Sequence, residues 1–239
     1  MRTFQIIMIN RKIQDTITRY GIATFGLILV AIGVALSIKS NLGTAPISCP
    51  PYVVNLIGGL TVGQYTILMH FTFILLQIIL LRKEFKAIHL MQIAAAFVFG
   101  FLTDAAIWSF SWIEAPTMIW RGAFTVISVI ITALGISMEV LGNAWMLAGE
   151  MTDAALAKVL KVKFRNAKIG FDIFLVIVSA AIAWFAFGNP LGTNGAEVIG
   201  IGTVISALFT GYCMKFTDPL AKKMFGGLME RYCIKPSED

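Results

Sequence analysis

The sequence predicts an all-α polytopic membrane protein with six transmembrane helices and both termini in the cytoplasm. Three observations carry that prediction. Hydrophobic residues fill 58% of the 239 positions and charged residues only 13%, against the ~25% that a globule in water typically carries. Apolar stretches long enough to cross ~30 Å of hydrocarbon, ~20 residues each, recur along the chain, whose mean hydropathy is +0.83. Finally, Lys and Arg alternate between connecting segments, as they do in membrane proteins with basic cytoplasmic loops.

The spans are expected at Tyr20–Ile38, Gln64–Leu81, Leu90–Trp112, Gly122–Met146, Lys168–Phe187 and Ala196–Phe216. With six passes, every second connection falls on one side. That side collects Arg2, Arg11, Lys12 and Arg19, then Arg82, Lys83 and Lys86, then Lys158, Lys161, Lys163, Arg165 and Lys168, and last Lys215, Lys222, Lys223, Arg231 and Lys235. Of the 19 basic residues only Lys39 and Arg121 are left for the other face. A wrong span count would scramble this split, so the split supports six. The expected organisation is a cytoplasmic segment 1–19, a transmembrane domain 20–216 and a cytoplasmic tail 217–239. Phe4–Ile9 is too short for a signal-peptide core and is followed by Asn10-Arg11-Lys12, so the first span is expected to stay attached.

The outer connections, Lys39–Gly63, Ile113–Arg121 and Gly188–Gly195, are too short for an external domain. On the inner side Thr152–Asn166 places Leu156, Val159, Leu160 and Phe164 at helical spacing among basic residues, the pattern of an amphipathic helix on the membrane surface; Leu220–Tyr232 repeats it more weakly. The net charge of +6 sits in these clusters between apolar runs, which argues against a nucleic-acid partner. Cys49, Cys213 and Cys233 show no paired spacing, so neither a disulfide framework nor a metal site is expected.

The chain also hints at duplication. Val34–Ala45 can be laid over Ala133–Ala144, which matches Leu42-Gly43 with Leu141-Gly142 and Ala45 with Ala144; further on Gly63 meets Gly170 and Thr103 meets Thr210. The halves would be about 20–112 and 122–216. Three spans per half is an odd number, so the second half must be inserted upside down, an architecture found in secondary transporters with a solute site near the midplane.

LVAIGVALSIKSNLGTAP (29–46), KIGFDIFLVI (168–177) and IGIGTVISALFTG (199–211) resemble the YczE/YyaS/YitT family of bacterial integral membrane proteins. The likeness spans most of residues 20–216 and is nearest the shorter YczE type, without the soluble C-terminal domain of YitT-like members. It implies a multi-pass protein of the bacterial cytoplasmic (inner) membrane, in a family described as transporter- or permease-like, and says little about the solute.

Ionisable groups inside spans cost ~2.5–3.5 kcal/mol on insertion scales and normally face a cavity or a partner. The candidate solute-binding acids are Glu139, Asp104, Asp172 and Glu150, with Asn143 one turn after Glu139 on the same helix face. The first three have a plainer alternative: a packing hydrogen bond for Glu139, the outer interface for Asp104, and snorkelling to water or an ion pair with Lys168 for Asp172. Under the alignment above Glu139 lies opposite Ser40 and Asp172 opposite Tyr65, so a site between the halves would be chemically lopsided. The turn Ser40–Pro51 supplies the rest: Gly43, Pro46, Pro50 and Pro51 interrupt the helix, and Asn41, Thr44 and Ser48 offer side-chain hydrogen bonds. The alternative is an ordinary outer loop. The corresponding turn at Gly142-Asn143 lacks proline, so a continued helix is equally open there. His70, with Gln64 and Gln77, either joins a polar cavity or packs as a hydrogen-bonded core histidine.

No GxxxxGK[ST], HExxH or GxSxG occurs, so neither a P-loop ATPase nor the corresponding zinc or serine hydrolases are expected; no enzyme, cofactor or metal is predicted. The expected function is transport of a small polar solute by alternating access, coupled to the solute's own gradient or to protons or sodium. The partners would be the lipid bilayer, the solute, the coupling ion and, as an open option, a second copy of the chain in a homo-oligomer. Two alternatives share the features read so far: the substrate-binding membrane subunit of an energy-coupled vitamin uptake system, and a regulatory or assembly protein that docks a partner through Thr152–Asn166.

Overall fold

A computed structural model describes residues 2–193 and 195–232, with the side chains of 2–12, 87, 88 and 231 left undescribed. Cys233, Lys235 and the side chains of Arg2, Arg11, Lys12 and Arg231 therefore lie outside the described parts. The chain forms α1 (Arg2–Ser40), α2 (Cys49–Ile57), α3 (Val62–Leu81), α4 (Met91–Ser109), α5 (Met118–Gly142), α6 (Ala148–Leu160), α7 (Phe164–Phe187) and α8 (Ile201–Tyr232). A small antiparallel ribbon, β1 (Gly192–Thr193) with β2 (Ala196–Glu197), lies between α7 and α8. The hydropathy pattern predicts no strand there, and the last predicted span, from Ala196, starts inside the ribbon rather than at Ile201.

Among the described residues five helices are long and apolar enough to cross a membrane: α1 from Ile13, α3, α4, α5 and α7. Their outward faces carry large apolar side chains such as Phe101 (70% exposed), Ile119 (84%) and Phe185 (89%), which the bilayer covers. The protein is thus a polytopic, mainly α-helical membrane protein. The sixth expected span falls in α8, which begins at Ile201 and runs on through Pro219 to include the predicted tail helix. Lys215 and Asp218 within it dilute its apolar character.

The centre is an antiparallel crossing of α1 and α5. A methyl group added at Gly135 would lie 2.7 Å from the Gly26 carbonyl oxygen and 2.9 Å from the Val30 nitrogen, and one at Gly142 2.7 Å from the Arg19 carbonyl. As α1 advances, its partners on α5 recede. Small residues let the two backbones approach, which is how helices bind tightly where lipid offers no hydrophobic drive. Gly100 of α4 likewise packs on Gly63 of α3.

Both central helices end in the same way. Asn41 (φ 49°) and Asn143 (φ 45°) adopt the left-handed conformation, which asparagine tolerates and which stops a helix. Ala45 and Leu147 are then extended before a short helical segment, and Thr61 and Lys163 are the N-caps of α3 and α7. These three pairs share one constant sequence spacing. The turn at Asn143 is real, so α5 stops at Gly142, short of the predicted Met146, because Asn143 ends a helix without needing proline. A second difference concerns Thr152–Asn166. It is not one surface helix: Lys161 (φ 54°) breaks it, and α6 buries Thr152, Asp153 and Ala155 against α3 and α7.

Candidate functional site

The short helices α2 and α6 pack at opposite places in the fold, α2 between α3 and α7 on one side and α6 between the same two helices on the other. Around α6 the structure gathers an ionisable cluster. Lys168 of α7 reaches Asp153 of α6 at 3.4 Å and Asp172, one turn on, at 3.5 Å. Glu150 is close enough for its charge to act on Lys168 and Asp153, and Glu139 of α5, 3% exposed and backed by Gly26, feels Glu150 in turn. Three carboxyl groups thus share one lysine, and Glu139 joins them through Glu150. Three of their oxygens, Oε1 of Glu139, Oε2 of Glu150 and Oδ1 of Asp153, are sealed from solvent without a hydrogen-bond partner.

Burial disfavours the charged form of a carboxyl group. In α6, which is not one of the spanning helices, burial pushes Asp153 up to about 7 despite the nearby Lys168. Burial also raises Glu150, with Asp172 adding to the rise and Lys168 opposing it. Asp153 was not among the sequence candidates. Its signal was available, since it lies one turn after Glu150 and so shares its helix face.

The structure brings Glu139, Glu150 and Asp172 together, and places the other candidates elsewhere. Asp104 reaches from α4 to the start of α3, where it accepts hydrogen bonds from the Thr61 hydroxyl at 2.5 Å and the Gly63 amide at 2.8 Å; it satisfies free donors at a helix N-terminus. Asn41, Thr44 and Ser48 belong to the turn after α1. The Glu197 amide donates to Asn41 Oδ1 at 2.7 Å, and Asn41 Nδ2 donates to the Gly195 carbonyl at 3.2 Å. The Thr44 amide donates to the Val198 carbonyl at 2.9 Å, and the Gly202 amide to the Leu42 carbonyl at 2.7 Å. Gly43 (φ 95°) presses against Gly200 and Thr203, leaving no room for a side chain. Ser48 is buried beside this seam. Asn143, by contrast, is exposed. It lines a hollow of about 200 Å³ with His89, Met91, Gln92, Ala144, Trp145, Met146 and Met151.

Two more polar groups join the interior. Gln77 and Gln92 exchange amide hydrogen bonds at 3.0 Å, and Gln77 Nε2 also lies 3.0 Å from the Ala148 carbonyl and 3.1 Å from the Thr152 hydroxyl, tying α3, α4 and α6. His70 of α3 is 1% exposed between Phe73 and Phe99, and neither ring nitrogen has a hydrogen-bond partner. It is therefore not the satisfied packing histidine of the plainer sequence reading. At the spacing set by the two asparagine turns His70 corresponds to Asp172, Thr66 to Lys168, Ser48 to Glu150 and Ser37 to Glu139. The sequence alignment had instead paired Ser40 with Glu139 and Tyr65 with Asp172.

The model of DUF6198, a family of unknown function, matches residues 17–219. The chain belongs to that family. Over 207 residues it is also 26% identical to the uncharacterized membrane protein YczE of Bacillus subtilis (strain 168), covering 86% of this chain and 88% of that protein. The YczE-like resemblance read from the sequence therefore holds across most of the DUF6198 chain. No solved structure matches it.

Proposed function

We propose that this DUF6198 protein is a secondary transporter of a small polar solute that works by alternating access. In this reading it crosses the bacterial cytoplasmic membrane six times, α8 included, with both termini inside, as two inverted halves that pivot on the α1–α5 crossing. The basic segments named from the sequence set this orientation by the positive-inside rule. The common spacing of Asn41/Asn143, Ala45/Leu147 and Thr61/Lys163, the antiparallel central helices and the reciprocal packing of α2 and α6 support the two-fold.

The observation that carries the proposal is a difference between the two equivalent ends. At the outer turn, backbone hydrogen bonds from Thr44 and to Leu42 fasten the chain to the start of α8. At the inner turn, among the described residues, no backbone hydrogen bond joins 143–146 to the start of α4, and the Asn143-lined hollow lies there instead. On this reading the end fastened by backbone hydrogen bonds is the closed one and the end with the hollow the less tightly closed one, an asymmetry expected of an inverted-repeat carrier in one of its two states. A scaffold has no need for it.

The test is reconstitution into liposomes with a panel of small polar metabolites, scored by ligand-induced thermal stabilisation and by flux. We expect at least one solute to stabilise the protein and cross the bilayer. We expect Asn41→Ala together with Thr44→Val, which weaken the outer seam, to change the flux. Absence of both stabilisation and flux across the panel would overturn the reading, and a co-purifying ATPase pair would point to an energy-coupled uptake subunit instead.

A further inference from the structure

We infer that the Glu139–Glu150–Asp153–Lys168–Asp172 cluster is a proton-binding site and that protons are the coupling ion of transport; the coupling half of this inference rests on the transporter reading above. The cluster holds four carboxyl groups and one ammonium group, and Glu139 Oε1, Glu150 Oε2 and Asp153 Oδ1 point into closed space without partners. A buried carboxylate with no donor is costly, and the usual remedy is to take up a proton. Each uptake converts a carboxylate into a carboxylic acid that can donate to a neighbour, and each release reverses it, with Lys168 keeping its own proton throughout. Among the described residues no three His, Cys, Asp or Glu side chains converge as a metal-ligand set.

The surroundings fit the same role. The titratable and charged groups on the surrounding elements are few: α3 adds His70, α2 adds the buried Cys49, on α1 the Arg19 guanidinium is paired with Asp15 at 2.6 Å, on α8 Asp218 accepts from the Ser137 hydroxyl at 2.6 Å, and Lys158 at the far end of α6 is paired with Glu84. The occupancy of Asp153, raised by burial to about 7, would change over the physiological range. The cluster spans three helices from one half only, with Ser37, Ser48, Thr66 and His70 at the corresponding positions of the other. Protonation would therefore act on one half of the molecule and bias the exchange between states.

The experiment has two arms. In the first, infrared difference spectra of the full chain in detergent are recorded across a pH titration, with no solute. Wild type is expected to show a protonated-carboxyl band that responds to pH and shrinks in Asp153→Asn and in Glu139→Gln, while Asp104→Asn leaves it unchanged. A band absent from wild type, or present unchanged in both cluster variants, would overturn proton binding. So would competition of sodium, potassium or a small amine with the band at constant pH, which would identify a cation site. In the second arm, flux of whichever solute is transported is measured with an imposed pH gradient and with a protonophore. Flux that ignores both would overturn coupling while leaving the transporter reading intact. A titrating band with no flux for any solute would overturn the transporter reading while leaving proton binding intact.

Discussion

Substituting Gly135 by alanine tests the central crossing most directly. The new methyl group would meet the Gly26 carbonyl oxygen at 2.7 Å and the Val30 nitrogen at 2.9 Å. Ordinary carbon contacts lie near 3.5 Å, so the helices must separate by roughly 0.5–0.8 Å. Both obstacles are backbone atoms, which cannot rotate aside. Overpacking of this kind costs about 1–3 kcal/mol, against a gain of up to ~1 kcal/mol for replacing a helical glycine. At ~2–4 °C per kcal/mol for a chain of this size, Gly135→Ala should melt several degrees below wild type in detergent at a fixed scan rate. Gly170→Ala is the control, since nothing lies within 4 Å of its added methyl, and it should melt at or slightly above wild type. If the two variants melt alike, the α1–α5 backbones do not touch and the pivot argument fails.

Three further outcomes follow from the same geometry. Gln77→Leu strands the Gln92 amide among buried groups and should cost about 1–3 kcal/mol, read as a lowered melting temperature that Gln92→Leu in the same chain partly restores. Asp104→Ala removes the acceptor for Thr61 and Gly63 and should destabilise by about 1–2 kcal/mol in the same melting assay without altering the solute specificity of flux. Asp153 holds a proton in the folded protein up to about pH 7, whereas in the unfolded chain it releases the proton near pH ~4. Its contribution to stability therefore falls as pH rises between those values and is flat above; melting curves across that window should show the slope, and Asp153→Asn should reduce it.

Much of the architecture was legible because its cause is local. Long apolar runs must be helices in lipid, and all six expected spans overlap described helices, five of them apolar enough to cross a membrane. The outer turn was legible through Gly43 and the prolines. The inner one was ambiguous because asparagine in a left-handed turn leaves no proline to read. The repeat register read from the sequence differs from the spacing of the two asparagine turns for a related reason. Matching Leu42-Gly43 to Leu141-Gly142 equates two glycines with different tasks: Gly43 takes φ 95° in a turn, whereas Gly142 is helical and packs against Arg19 and Ala23. The reliable landmarks are Asn41 and Asn143, which differ from their neighbours only in backbone conformation. Asp153, beside Glu150 after the fourth span, stands outside the sequence candidates because its importance comes from Lys168 across a helix boundary at Lys161, a boundary that hydrophobic spacing obscured.

The mismatch between Ser37, Ser48, Thr66 and His70 and their counterparts Glu139, Glu150, Lys168 and Asp172 has an energetic meaning. Two identical halves would give inward- and outward-open forms of equal energy, each occupied half the time. On the transporter reading proposed above, dissimilar side chains would remove that degeneracy, so one form would be the resting one and the other would be reached through a ligand that binds it better. On the proposed reading the chain carries its own thermodynamic polarity, written at four positions rather than in its topology.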